Sequence, residues 1–414
     1  MGFFDLIKKN KKNKPQAERT KIDNVSVEIK ENDQIIHLSG DVNSNNAAVI
    51  ESKMDEYLRQ DLNLIIDCEN LNYISSAGLR ILLRIRKTFE NLKIINVKSD
   101  VYEVFEMTGF TKIMHVDKAY KEFSIEGLEI IGRGANGTVY RYDDETVLKV
   151  YREQITLDSI IHERELAREA LILGVPTAIS YDVVKVGENY ASVFELINAK
   201  SLINLVQENH DDINKVVDMS VELLKQIHDI NVTDYNLPKM KEIALGWLDY
   251  LKDELEEKEI DKLYDLINDV PESSNLIHGD YHLKNIMYQD NEIIMIDMDT
   301  LSIGNPIFEF GQIYLSYKAF GELDHKKVED YMEISFDEAQ YILEETIKRY
   351  FGVENIDAYI DKFALLAYMK LLRRHIKRNE GTKEEREYLK NRIKELLTKI
   401  DSLIWYNKKA FSNK

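Results

Sequence analysis

The stretch HGDYHLKNIMYQDNEIIMIDMDT, from His278 to Thr300, constrains this chain more than any other. Asp280 stands five residues before Asn285; a short turn follows, then an apolar strand ending in Asp297. Phosphoryl transfer needs such a set: an acid to orient a hydroxyl, and oxygen ligands for magnesium beside the nucleotide phosphates.

A glycine-rich segment points the same way. In LEIIGRGANGTVYRYDDETVLKVY, Gly132, Gly134 and Gly137 have the spacing G-x-G-x-x-G. Dinucleotide-binding folds use that spacing too, but there the loop runs into a helix. Here TVYRY is extended, turns at Asp143, Asp144 and Glu145, and returns as TVLKV. A glycine loop between hairpin strands, with Lys149 twelve residues beyond Gly137, reads as the nucleotide lid of a kinase fold. Lys149 then needs an acidic partner, and the helix His162 to Leu173 offers Glu163, Glu165 and Glu169. Glu163 is preferred, because Leu166, Ala167 and Ala170 follow it at +3, +4 and +7 on one apolar face. Glu165 is the alternative. The run YASVFELINAKSL reads as a strand leading into a linker, the kinase hinge, where backbone groups from Glu195 to Ile197 would bind adenine.

HGDYHLKN resembles the HGDxHxxN motif of aminoglycoside and choline kinases and their relatives. The resemblance implies ATP and Mg2+ as cofactors, with Asp280 orienting or deprotonating the acceptor hydroxyl. It also implies that Asn285 binds magnesium, that Asp297 bridges metal to phosphate, and that His278 and His282 support the loop. Zinc is a poor reading of those two histidines, since no third nitrogen or sulfur ligand follows at a usual spacing. Glu309, in GNPIFEFG, stands where those families have aspartate and is assigned a structural role. Only six residues separate Asp297 from Gly304, and no A-P-E sequence follows. The long activation segment with which a protein kinase holds a peptide is therefore missing.

The first 120 or so residues have a different character. Period-two apolar residues (Val25, Val27, Ile29) and IIHL are followed by a helical pattern over Asn45 to Gln60. LNLIIDC then reads as a buried strand, Ser76 to Phe89 as a helix and KIINV as a strand. A helix over Asp100 to Thr108, with a capping box at Asp100 and Glu103, and a strand at KIMHV close the unit. LNLIIDCENLNYISSAGLRILL resembles the core of the STAS, or anti-sigma-factor antagonist, family, and VYEVFEMTGFTKIM its closing helix and strand. In that family a serine at the start of the helix is phosphorylated to switch partner binding, which here implies Ser76. Ser75 stands where aspartate is frequent, and Ala77 where a second serine is common. The alternative for Ser76 is a plain helix cap.

Charge and composition bound the partners. The net charge is −19, yet residues 1–21 hold seven Lys/Arg against two acids, so that leader carries +5 and the remainder −24. Such an acidic body disfavours nucleic acid. The leader MGFFDLIKKNKKNK reads as a flexible segment, with a short amphipathic membrane tether as its rival. One cysteine, Cys68, excludes an internal disulfide and fits a cytoplasmic protein.

The expected fold is α/β: a small STAS-like α/β domain, then a two-lobed kinase-like α+β domain with a largely helical C-terminal lobe. The expected boundaries are 1–21 for the leader, 22–123 for the first domain and 124–408 for the second. The expected function is an ATP- and Mg2+-dependent phosphotransferase acting on a hydroxyl of a small molecule or a regulatory protein. Its partners would include an anti-sigma-factor-like or other regulatory protein, met through the STAS-like domain. The alternative is a non-catalytic partner-switching regulator whose kinase-like domain senses nucleotide.

Overall fold

The computed structural model describes residues 24–399, apart from 135, 234–236 and 290. The basic leader and the residues from 400 onward lie outside the described residues.

The N-terminal domain is built on one five-stranded sheet, ordered β1-β2-β3-β4-β5. Its strands are β1 (Val25–Lys30), β2 (Asp33–Val42), β3 (Asn63–Ile74), β4 (Lys93–Val97) and β5 (His115–Lys118). β1 and β2 form an antiparallel hairpin with Val25 opposite Leu38, and the remaining pairs are parallel. Parallel neighbours need crossovers, supplied by helices α1 (Ala47–Tyr57), α2 (Ser76–Thr88) and α3 (Ser99–Met107). Ile36 and Leu38 of β2 and Leu64, Ile66 and Cys68 of β3 are buried in one core with Ile50 and Met54 of α1 and Leu82 and Ile85 of α2. Burial, with the neighbouring Asp67 charge, pushes the Cys68 thiol up to about 12, as befits a core residue.

Two local expectations shift. The third helix starts at Ser99, with Lys98 at the cap and no side-chain capping bond, so Asp100 lies inside the first turn, where its charge still suits the helix dipole. KIMHV is not a strand throughout: a 3-10 turn over Phe110–Lys112 precedes β5. Gly109, at φ 75°, turns the chain there, and the buried Met114 anchors the turn rather than a ladder.

The kinase-like domain opens with β6 (Ile130–Arg133), β7 (Gly137–Arg141), β8 (Thr146–Tyr151), α4 (Leu157–Ile172), β9 (Ser180–Val186) and β10 (Asn189–Glu195). The sheet order is β6-β7-β8-β10-β9. At the β7–β8 turn, Asp143 Oδ1 accepts the N–H groups of Glu145 and Thr146 at 2.9 and 2.7 Å. That local bonding is why an acidic tripeptide turns the chain there.

The rest is mainly helical. β11 (Lys200–Ser201) leads into α5 (Leu202–Glu208), α6 (Ile213–Asp229), α7 (Met240–Leu251) and α8 (Glu257–Asp269). Short strands β12 (Leu276–Ile277), β13 (Ile286–Gln289), β14 (Glu292–Met295) and β15 (Ser302–Ile303) follow. Then come α9 (Ile307–Tyr317), α10 (Lys326–Met332), α11 (Phe336–Phe351), α12 (Asp357–Arg378) and α13 (Lys383–Leu397). Every residue of α9 is buried, so this short apolar helix is the axis of the helical core. No helix among the described residues is long and apolar enough to cross a membrane.

By backbone proximity the chain divides into two compact units. The first runs to Tyr142 and includes Lys149–Glu153 and Val183–Ala191; the second holds Asp143–Leu148, Gln154–Asp182 and the chain from Ser192 onward.

Candidate active site

Both ends of the stretch from His278 to Thr300 are pinned by one strand pair. β12 and β15 are antiparallel, with Leu276 opposite Ile303 and Ile277 opposite Ser302. Between them β13 and β14 form a hairpin with Ile286 opposite Met295. Asn285 and Asp297 therefore emerge at the same end of the hairpin, and the Ile296 N–H donates to Asn285 O at 2.9 Å. Asp297 lies at φ 64°, a left-handed conformation costing a non-glycine residue about 1 kcal/mol or more. That conformation takes it off the ladder, and its side chain is exposed.

Asp280 is held from several sides. Its Oδ1 accepts from Gln312 Nε2 at 2.6 Å, and its Oδ2 lies 3.7 Å from His282 Nε2. Burial alone would raise its pKa, but His282, Lys370 and His278 more than offset this and hold the carboxyl well below the usual carboxylate range. The side chain nevertheless stays 31% exposed.

The loop backbone is fixed from beneath. Glu309, fully buried on α9, accepts the His278 N–H at 2.7 Å and the Gly279 N–H at 3.0 Å. Burial would raise its carboxyl, but His228 and His278 beside it, together with the Gly279 N–H, bring the pKa below the ordinary value. His278 Nδ1 accepts the Asp280 N–H at 3.2 Å while its Nε2 faces Ile296 O at 3.2 Å, which fixes the Nε2–H tautomer. His282 shares a hydrogen bond of 2.8 Å with Tyr331 OH. Gly279 has φ 83°, and a Cβ there would lie 2.6 Å from Thr300 O. Lys370 on α12 donates to Gly279 O at 2.9 Å; burial lowers its pKa, partly countered by Asp280 and Glu309.

Glu309 and the two histidines are supports, as the motif implies, whereas Gln312, Lys370 and Tyr331 lie outside the motif. A signal existed for two of them: Gln312 interrupts the apolar IFEFGQIYL, and Lys370 interrupts FALLAYMKLL. His228 is buried, with Nδ1 2.8 Å from Tyr350 OH and Nε2 3.8 Å from Glu309. Trp247 is buried likewise.

The donor set suits a hard cation. Asn285 Nδ2 donates to Asp280 O at 3.0 Å, which orients the amide and leaves its carbonyl oxygen as the available ligand. With the Asp297 carboxylate, that makes two oxygen donors, the number magnesium takes when phosphates and water supply the rest. Among the described residues there is no group of three or more His, Cys, Asp or Glu that could hold a metal alone.

The glycine loop belongs to the first unit. Gly134 N–H donates to Gly137 O at 2.9 Å, and the Arg152 N–H and guanidinium donate to Asn136 O and Gly134 O at 3.0 and 3.2 Å. Gly137 is required by packing, because a Cβ would lie 2.2 Å from Val150 O. Around Gly132 and Gly134 a Cβ would meet nothing closer than 3.6 Å, so their backbone is open to approach. Lys149 sits within β8 with its Nζ 5.5 Å from the Tyr151 ring.

In the second unit, Glu163 is buried on α4 whereas Glu165 is exposed. Glu195 ends β10: its N–H donates to Ile179 O and its Oε2 accepts the Ile179 N–H at 3.2 Å. Ile197, two residues on, is half-buried. Ser76 is the first residue of α2 and exposed, while Ser75 occupies the cap position.

Comparison with known proteins matches these two parts to two families. The STAS domain model matches residues 24–123, and the phosphotransferase enzyme family model matches residues 127–341. BtrV of Bordetella bronchiseptica, which carries the name of an anti-sigma factor antagonist, is 36% identical over 84 residues, covering 19% of this chain and 72% of that protein. The anti-sigma-B factor antagonist of Bacillus subtilis is 26% identical over 97 residues, 22% of this chain and 89% of its own. Among solved structures, aminoglycoside phosphotransferase APH(4)-Ia aligns at 13% identity over 67% of this chain and 93% of its own, with a TM-score of 0.45. The chain belongs to the phosphotransferase enzyme family and carries a STAS domain ahead of its phosphotransferase domain.

Proposed function

We propose that the protein transfers the γ-phosphoryl group of ATP to a hydroxyl, on a small molecule or on a regulatory protein. The observation that carries this reading is the Asp280 carboxylate, fixed by Gln312 yet open to an incoming group. The acceptor hydroxyl donates to Asp280, its oxygen bonds the γ-phosphorus, and the bond from that phosphorus to the bridging oxygen of ADP breaks. The hydroxyl proton leaves through the Asp280 carboxylate to solvent. Asn285 and Asp297 would hold Mg2+, which when bound neutralises charge on the phosphates. Gly132, Gly134 and Gly137 would admit the phosphates and Lys149 would pair with them. The burial of Glu163 favours it over Glu165 as the lysine's partner. The Glu195 N–H is already committed to Ile179, so adenine would fall to the Glu195 carbonyl and the Ile197 backbone.

Six residues between Asp297 and Gly304 leave no peptide platform, which favours a small acceptor. One observation favours a second reading: Ser76 is exposed at a helix N-terminus, where a phosphate is tolerated electrostatically and changes the face shown to a partner. In that reading the kinase-like domain phosphorylates Ser76, and the STAS domain thereby switches a regulatory partner of the anti-sigma-factor type, in the cytoplasm. Intact-mass measurement of the full chain after incubation with Mg-ATP separates the two, run beside Ser76→Ala and Asp280→Ala. A mass gain lost in both variants supports self-phosphorylation; ATP turnover only with an added metabolite supports a small acceptor. Absence of nucleotide binding would sink the proposal.

A further inference from the structure

Helix α9 presents two polar side chains, one turn apart, to the same loop. Glu309 takes the backbone N–H groups of His278 and Gly279, while Gln312 reaches the reacting carboxylate itself. Gln312 Nε2 donates to Asp280 Oδ1 at 2.6 Å and to Ser316 Oγ at 3.1 Å, so both amide hydrogens are used. Its Oε1 is buried without a hydrogen-bond partner. An orphaned buried carbonyl is a cost, and the neighbouring Phe308, Phe310 and Ile313 show that this helix otherwise fills its surroundings with apolar groups. A leucine would pack as well without the orphan. What leucine cannot do is donate to a carboxylate, a charge-assisted bond stronger than a neutral one.

That bond has a geometric consequence. The terminal torsion of an aspartate is broad and two-fold, so an untethered carboxylate samples many orientations. With Oδ1 tied to α9, Oδ2 is left on the side of His282 and of solvent. From a different helix, Lys370 fixes the carbonyl of Gly279, the residue just before Asp280. The loop is thus held at three successive points: the Gly279 N–H, the Gly279 carbonyl and the Asp280 carboxylate.

We propose that Gln312 and Lys370 are positioning residues for phosphoryl transfer: Gln312 ties Oδ1 so that Oδ2 meets the acceptor hydroxyl, and Lys370 locks the preceding carbonyl. Neither touches the substrate, and neither gains or loses a proton in the step. The inference rests on the phosphotransferase reading.

The test uses the full chain and Mg-ATP, with water as acceptor, and follows ADP release. Gln312→Leu is expected to lower kcat ten-fold or more while KM for Mg-ATP stays within two-fold and the thermal midpoint does not fall. Gln312→Glu, of the same shape but without the donor, should lose as much. Lys370→Met should lose activity and Lys370→Arg should recover most of it; if Lys370→Met fails to fold, the two Gln312 variants decide. Folded Gln312→Leu and Gln312→Glu proteins with kcat within two-fold of the parent overturn the inference. Asp280→Asn separates the failures. If it abolishes turnover while Gln312→Leu does not, only this inference falls; if it leaves turnover intact, or the parent binds no nucleotide, the phosphotransferase reading falls and takes the inference with it.

Discussion

Glu309 holds the His278 N–H at 2.7 Å from a position with no solvent exposure, and the same carboxylate takes the Gly279 N–H. A buried charge satisfied this way is costly to break. Glu309→Ala strands two buried N–H groups and two nearby histidines, and should cost about 3 kcal/mol or more. Glu309→Gln keeps one acceptor oxygen but turns an amide N–H toward a backbone N–H, and should cost about half as much. Urea unfolding midpoints at neutral pH check both, and equal stability of Glu309→Ala and the parent would show that the contact carries no load.

Gly279 sets the loop's path. At φ 83°, with Thr300 O 2.6 Å from any added Cβ, Gly279→Ala should destabilise the protein by about 2 kcal/mol or more and lower ADP release further than the stability loss explains. Thermal melts beside single-turnover rates make the comparison, and an alanine variant with parental values for both would refute the strain argument.

Asp297 and Asn285 should act through the metal. Asp297→Asn is the informative substitution, because asparagine tolerates the left-handed backbone at φ 64° and keeps the shape. It should raise the Mg2+ concentration for half-maximal turnover at least ten-fold with little change in melting temperature. Asn285→Ala should do the same and also lose the bond to Asp280 O. Unchanged metal dependence in both variants would remove them as ligands.

His375 predicts a pH dependence of stability that is separate from the active site. Burial, then the neighbouring Lys327, Arg374 and Arg386, pull its pKa down to about 4. The unfolded histidine titrates near 6.5, so between these values the unfolded state binds the proton and the folded state does not. Stability is therefore full above about pH 6.5 and falls as pH drops toward about 4, by ~2–3 kcal/mol from this residue. Gly381 packs against the imidazole, so a slimmer replacement such as His375→Gln should flatten this part of the curve. Denaturant midpoints at pH 7.5 and 5, compared between parent and variant, measure it; the same slope in both would contradict the assignment.

Much of the architecture was legible because local patterns agreed with tertiary burial. The buried strand LNLIIDC, the acidic turn at Asp143 and the apolar face behind Glu163 each match the burial or bonding that the structure shows. KIMHV was misread because a short apolar run fits a buried 3-10 turn as well as a strand, and Gly109 decided between them. At the site, the loop motif names Asp280, Asn285 and Asp297. It cannot name Gln312 or Lys370, since their partners lie 32 and 91 residues away in sequence. Both leave only a faint trace, a polar residue interrupting an apolar run. The acceptor is illegible for a different reason: hydroxyl recognition depends on surfaces that no local spacing encodes.

The role proposed for Asp280 is to serve phosphoryl transfer. Mg-dependent ADP release by the full chain at saturating ATP, measured for the parent and for Asp280→Asn, tests it most directly. The variant is expected to lose at least a hundred-fold in rate, with nucleotide affinity within three-fold and an unchanged melting temperature. Equal rates in the two proteins, with both folded and both binding nucleotide, would contradict it.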